Sequence, residues 1–221
     1  MSILHHPSDE TLLRFAAGSL PAGPALVVAS HLEGCAVCRN RVAQFEAVGG
    51  AMLADLPPTP LKADAFARVL ARAQAGQAEK DTPEGIFLER EAPKKLDGIV
   101  LPRALHGCAI GAWRWVGPGI RVSRVVVPHA RQANVILLKV RAGRHMPAHG
   151  HTDFEITQVL RGSFRDGGKR YGVGDVAEGD SECDHAPVVG EESECISLAA
   201  IEGHIRFRGP IGRLLQPLVG L

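Results

Sequence analysis

Residues 143–162 read G-R-H-M-P-A-H-G-H-T-D-F-E-I-T-Q-V-L-R-G, and this run restricts the chain more than any other. His149 and His151 lie two apart, so an extended backbone turns both imidazoles to one face. Glu155 is four further on, and the even offset keeps its carboxylate on that face while the strand, or its hairpin partner, stays extended. Gly143 and Gly162 bracket the run where turns are needed. Two histidines and a carboxylate on one face make a donor set for a divalent metal on a β framework. Zinc, iron, manganese and nickel all accept such donors.

A second constellation stands near the other end of the chain, His31-Leu-Glu-Gly-Cys35-Ala-Val-Cys38. His31 and Cys35 are at i and i+4, one helical turn apart on one face. Cys35 and Cys38 form a C-x2-C knuckle whose thiolates can grip one tetrahedral ion. His5 and His6 each offer a fourth donor from upstream. A redox-active C-x2-C would need a βαβ context, which the sequence around it lacks. The reading is a structural zinc site.

Five cysteines is an odd number, and Cys108, Cys183 and Cys195 stand singly, which suits metal ligands plus buried thiols better than a disulfide framework. The formal net charge is +1, and residues 1–80 carry seven Lys/Arg against seven Asp/Glu. A helical zinc domain with no basic surplus is a poor binder of nucleic acid, so its expected partner is another protein. No apolar run approaches the roughly 20 residues of a membrane span. The opening Met-Ser-Ile-Leu-His-His-Pro has neither a basic n-region nor an apolar h-region, and a cytoplasmic location is expected.

Four helical patterns fill the first third. Ser8 is the N-cap of the first, with Asp9 and Glu10 in its first turn and Gly18 as its stop. Pro24 opens the second, which carries Val27, Val28, His31 and Leu32. The third begins around Cys38 and fades at Gly49-Gly50. The fourth, from Asp64 to about Ala75, puts Phe66, Val69, Leu70 and Ala73 on one face. A polar stretch from Gly76 to about Asp97 reads as a joint with few shared contacts. Beyond it the period changes to two. Residues 110–115, 120–127, 135–140, 154–160, 196–201 and 205–207 read as strands, with a hairpin at Asp166-Gly167-Gly168-Lys169. Many short strands with turn signals suggest a sandwich or barrel. The expected fold class is therefore α + β in two domains, a small helical zinc-binding domain followed by an all-β barrel.

The run 143–162 matches residue for residue the first motif of the cupin family, G-x5-H-x-H-x3-E-x6-G. The block around His31 resembles the zinc-binding anti-sigma domain of bacteria, and residues 8–20 look like that family's first helix. In this order the two resemble the ChrR-type anti-sigma factors over nearly the whole chain. The resemblance implies a zinc-binding anti-sigma domain of residues 1–80, a linker of 81–97 and a cupin of 98–221. It favours His6, with His31, Cys35 and Cys38, as the zinc ligands. It also implies a divalent metal on His149, His151, Glu155 and His185. His185 follows Gly172-Val-Gly-Asp175, which is similar to the turn opening the cupin's second motif, although Asp180 and Glu182 replace that motif's usual proline and glycine.

By the same resemblance the chain is a regulator without enzymatic activity. It would bind and inhibit an extracytoplasmic-function-type sigma factor, and its cupin would sense a stress signal such as reactive oxygen species. A cupin oxygenase or isomerase with a helical extension is the rival reading. The N-terminal motif separates the two, since an oxygenase has no reason to carry it. The signal is expected to enter at the cupin. No cysteine precedes Cys35, and a Cys35–Cys38 disulfide would hardly constrain the first helix.

Overall fold

Ser8 opens the first helix as expected, its hydroxyl accepting the Thr11 N–H at 3.2 Å. The computed structural model describes residues 2–78, 94–179 and 185–207. Its helices are α1 (Asp9–Ala16), α2 (Ala22–Gly34), α3 (Ala36–Ala54) and α4 (Ala65–Ala78). Helix α2 starts two residues ahead of the expected Pro24. Helix α3 runs straight through Gly49-Gly50. Each glycine costs such a helix about 1 kcal/mol, and the Ala-Met-Leu-Ala that follows consists of strong helix formers. Most of the expected joint, together with Cys183, lies outside the described residues.

The strands are β1 (Lys95–Leu96), β2 (Ile99–Val100), β3 (Ala109–Ile110), β4 (Arg114–Gly117), β5 (Ile120–Val127), β6 (Ala130–Val140) and β7 (His149–His151). They continue with β8 (Glu155–Arg161), β9 (Phe164–Asp166), β10 (Lys169–Tyr171), β11 (Val176–Gly179), β12 (Val188–Val189), β13 (Cys195–Ile201) and β14 (Ile205–Phe207). The main antiparallel sheet runs β11-β8-β13-β6-β5-β3, with β4 on β5. A smaller sheet β10-β9-β12 and the pair β14-β7 complete the barrel. The expected hairpin joins β9 to β10, with Gly167 and Gly168 at φ 53° and 77° supplying the two left-handed positions of a tight turn.

The main sheet is apolar on both faces, and this fixes where the helices sit. On β8, Glu155, Thr157 and Val159 point one way, into the barrel, while Ile156 and Gln158 point the other way. All seven residues of β13 are buried, with no alternation of exposure. The outer face is covered by α2, whose Val27 and Val28 belong to the same core as Val135, Leu137, Ile156, Leu198 and Ala200. Gly23 sets the approach, since a Cβ there would lie 3.2 Å from Val135 Cγ2 and 3.3 Å from Ala200 Cβ. Two polar clasps flank this packing. The Ser30 hydroxyl donates to the Gln158 amide oxygen, and the Glu33 carboxylate accepts the Arg103 and Ala104 N–H groups.

The expectation of few shared contacts therefore fails among the described residues, because the helical block and the barrel share one core. Val28→Ala is expected to lower stability by about 2 kcal/mol. It should shift the helical circular dichroism and the fluorescence of Trp113 and Trp115 to the same new denaturant midpoint. Two separate transitions would contradict a common core.

Candidate metal centres

The first cluster forms where α2 ends and α3 begins. Cys35 is the residue between the two helices, and its Sγ accepts the Cys38 N–H at 3.4 Å as the N-terminal cap of α3. The cap places the sulfur at the N-terminal end of α3. His31 is fully buried one turn back. Its Nδ1–H donates to the Gly174 carbonyl at 2.9 Å, which leaves Nε2 facing Cys38 Sγ at 3.3 Å. The outer side is closed by His6, whose Nδ1 is 3.4 Å from both sulfurs. One donor atom from each of these four residues lies within 4.8 Å of all the others. His5 is not in the group; its ring lies against Tyr171 instead.

Burial, with Cys35 as a second cause, pushes the Cys38 thiol up to about 12. Burial also holds His31 below the ordinary imidazole value, opposed by its bond to Gly174. Two thiols and two imidazoles with one donor atom each converging on one point form a four-donor set that could hold a metal ion. A soft or borderline ion suits that donor set, and binding it would release thiol protons.

The second cluster lies inside the barrel and joins His149, Glu155 and His185, again with donor atoms within 4.8 Å of one another. Strand parity does not create it in the expected way. His149 is on β7 and Glu155 on β8, in different sheets. The residues meet because His185 bridges to His149, the two exchanging both backbone N–H···O bonds at 3.0 Å. Each imidazole is fixed through Nδ1, that of His149 donating to the Pro147 carbonyl at 2.8 Å and that of His185 to the Asp166 carboxylate at 2.6 Å. Both therefore present Nε2 to the interior, where His185 Nε2 is 3.7 Å from Glu155 Oε2. The Thr157 hydroxyl donates to Glu155 Oε1 at 3.0 Å. His151 is on β7, and its side chain lies outside the described residues. The cavity beside the cluster is walled by apolar residues such as Leu138, Met146 and Phe164, with Tyr171, Glu178 and Cys195 also on its lining. Burial lifts the Cys195 thiol to about 12, which suits a packing role.

Asp166, the partner of His185, is a residue that sequence reasoning missed. Its position before Gly167-Gly168 was visible only as turn chemistry. Asp175, which receives three backbone N–H groups, was likewise read only as part of a turn.

Comparison with known proteins agrees with this layout. Residues 104–203 match the family described as ChrR Cupin-like domain. Over 217 residues the chain is 36% identical to the anti-sigma-E factor ChrR of Cereibacter sphaeroides, covering 98% of both chains. A crystal structure of Rhodobacter sphaeroides SigE in complex with the anti-sigma ChrR superposes with a TM-score of 0.69 at 35% identity, over 91% of this chain and 100% of that one. An RmlC-like cupin of Ralstonia eutropha is a more distant likeness, with 22% identity and a TM-score of 0.40 over 49% of this chain and 73% of its own. With a helical Cys/His cluster ahead of a cupin barrel, and identity to ChrR along nearly its full length, the chain belongs to the ChrR family of anti-sigma factors.

Proposed function

We propose that this protein binds and inhibits a sigma factor of the extracytoplasmic-function type through its helices, and that its barrel receives the signal that ends the inhibition. The observation that carries the first half is an unspent apolar surface. Met52 and Leu53 at the end of α3 are 67% and 69% exposed, and Phe66 and Val69 on α4 are 80% and 67% exposed. Large apolar side chains on helices, this far exposed, mark a protein-binding face. The equal count of acidic and basic residues in 1–80 favours a protein partner over nucleic acid. The relatives named for binding SigE support the choice of partner. Residues 1–80 would contribute that surface, joined by 81–97 to the cupin of 98–221. No helix among the described residues is long and apolar enough to cross a membrane. The cytoplasmic location we propose follows from the sigma-factor partner that the relative's name implies.

In this reading His6, His31, Cys35 and Cys38 hold a structural zinc, which a thiolate and imidazole set of this kind suits. His149, His151, Glu155 and His185 hold a divalent ion in the barrel, and such an ion offers a Lewis-acid position to a small ligand. The chain's own residues supply the rest. Asp166 and the Pro147 carbonyl fix the histidine tautomers, and apolar residues such as Leu138, Met146 and Phe164 line the cavity beside the cluster. This is a regulatory site, and the family to which the chain belongs supports a regulator over an oxygenase.

The test is to co-express the protein with candidate sigma factors and measure both capture and release. His149→Ala or Glu155→Ala should leave sigma inhibition intact while abolishing release on exposure to reactive oxygen species. Normal release by such a variant, with its barrel metal shown absent, would move the sensor elsewhere.

A further inference from the structure

The segment 3–8 contributes a donor to the helical cluster and lies against residues that wall the barrel cavity. His6 belongs to the helical cluster. Its neighbours are fastened to the barrel. The buried Asp175 carboxylate accepts the Leu4 N–H at 2.6 Å and the His5 N–H at 3.0 Å. The His5 carbonyl accepts the Val176 N–H at 3.0 Å, so the segment lies along the open edge of β11. Further on, the Ser8 N–H donates to Glu178 Oε1 at 3.1 Å. Ile3 packs on Gly174, where a Cβ would come within 2.8 Å of its side chain. The same Gly174 carbonyl holds His31. The turn before β11 thus anchors both the segment that carries His6 and the ring of His31.

The other side of this contact faces the barrel cavity. Tyr171 and Glu178 both line it. Tyr171 also meets the His5 ring, with centroids 4.6 Å apart, and Glu178 also holds Ser8. Glu155 of the barrel cluster pairs directly with Gly179 at the end of β11. We propose that residues 3–8 form a strap that couples the two clusters, so that a change at the cavity wall loosens His6 and a change at His6 alters the wall. The proposal rests on the functional reading above for its biological sense, although its physics needs no sigma factor. Coupling of this kind requires contacts that differ between two states, and Tyr171 and Glu178 are the residues placed to supply them. The effect must be reciprocal for binding.

The test uses the full chain without any sigma factor. Tyr171→Ala should speed the transfer of zinc from the helical cluster to a chromophoric chelator by about tenfold, the scale of losing one or two net hydrogen-bond-sized contacts. It should also raise hydrogen exchange at the Leu4 and His5 amides while amides of β5, β6 and β13 stay protected. Glu178→Ala should free the Ser8 amide and provides the same reading should Tyr171→Ala fold poorly. In the wild type, adding zinc to the barrel cluster should change exchange across residues 4–8, and Tyr171→Ala should erase that response. Unaltered zinc transfer and strap exchange in folded Tyr171→Ala and Glu178→Ala proteins would overturn the proposal. A chain that shows the coupling yet captures no sigma factor would refute the anti-sigma reading alone.

Discussion

Cys38→Ser is expected to cost the helical cluster the zinc proposed for it and the protein its hold on the sigma factor together. The reason lies in where the four donors sit, at the junction of α2 and α3. Cys35 caps α3 through its sulfur, Cys38 sits in the first turn, and His6 arrives from a segment with no helical structure of its own. The four donors are two thiols and two imidazoles within hydrogen-bonding distance of one another, and burial raises the Cys38 thiol. Structural zinc sites contribute on the order of 10 kcal/mol of apparent free energy at neutral pH, so an open coordination position would be felt at the junction and in the core around it. The measurement is metal content per chain alongside co-purification of the sigma factor. Full inhibition by a zinc-free Cys35→Ser/Cys38→Ser protein would contradict the role assigned to the site. Metal affinity should also fall as pH drops, because the ligand thiols and imidazoles must shed protons to bind.

The second large effect is expected at Phe66. Its ring is 80% exposed in the free chain, so Phe66→Ala should leave stability within about 0.5 kcal/mol of wild type. Against the sigma factor the same change should raise Kd by about thirtyfold or more, the usual consequence of truncating an aromatic anchor. Gln74→Ala, a polar position on the same helix, serves as the control and should alter neither quantity. Equal binding by both variants would place the sigma surface elsewhere. Titration calorimetry with a purified sigma factor separates these outcomes.

The local elements were legible because their signals are local. Ser8 caps α1, the alternation over residues 120–127 gives β5 at its full length, and Gly167-Gly168 closes the hairpin. The donors of the helical cluster were legible for the same reason, being spaced for one turn of helix and one knuckle. What the sequence hides is partnership. Val27 and Val28 announce an apolar helix face, but nothing nearby reveals that its cover is a sheet more than a hundred residues away. His5 and His6 look alike as neighbours, and the structure separates them by turning His6 to the two sulfurs and His5 to Tyr171. Asp166 was hidden differently, since aspartate before two glycines is already accounted for by the turn. The barrel cluster shows the limit of parity arguments. His149 and Glu155 do converge, yet through two sheets brought together at His185 rather than along one strand.

The two-sided burial of the main sheet also bears on how such a barrel can be inherited or engineered. Strand β13 has no wet side, and Leu137, Ile156 and Leu198 meet α2 where a free-standing barrel would meet water. Cut away from its first 80 residues, the barrel would carry a greasy plate on its outside and is expected to self-associate unless that plate is repainted with polar residues. A graft that moves this sensor onto another effector must therefore carry α2 with it. For the same reason, the two halves of the chain would be expected to travel through evolution as a matched pair, with changes at Gly23, Val27 or Val28 answered on β6, β8 and β13.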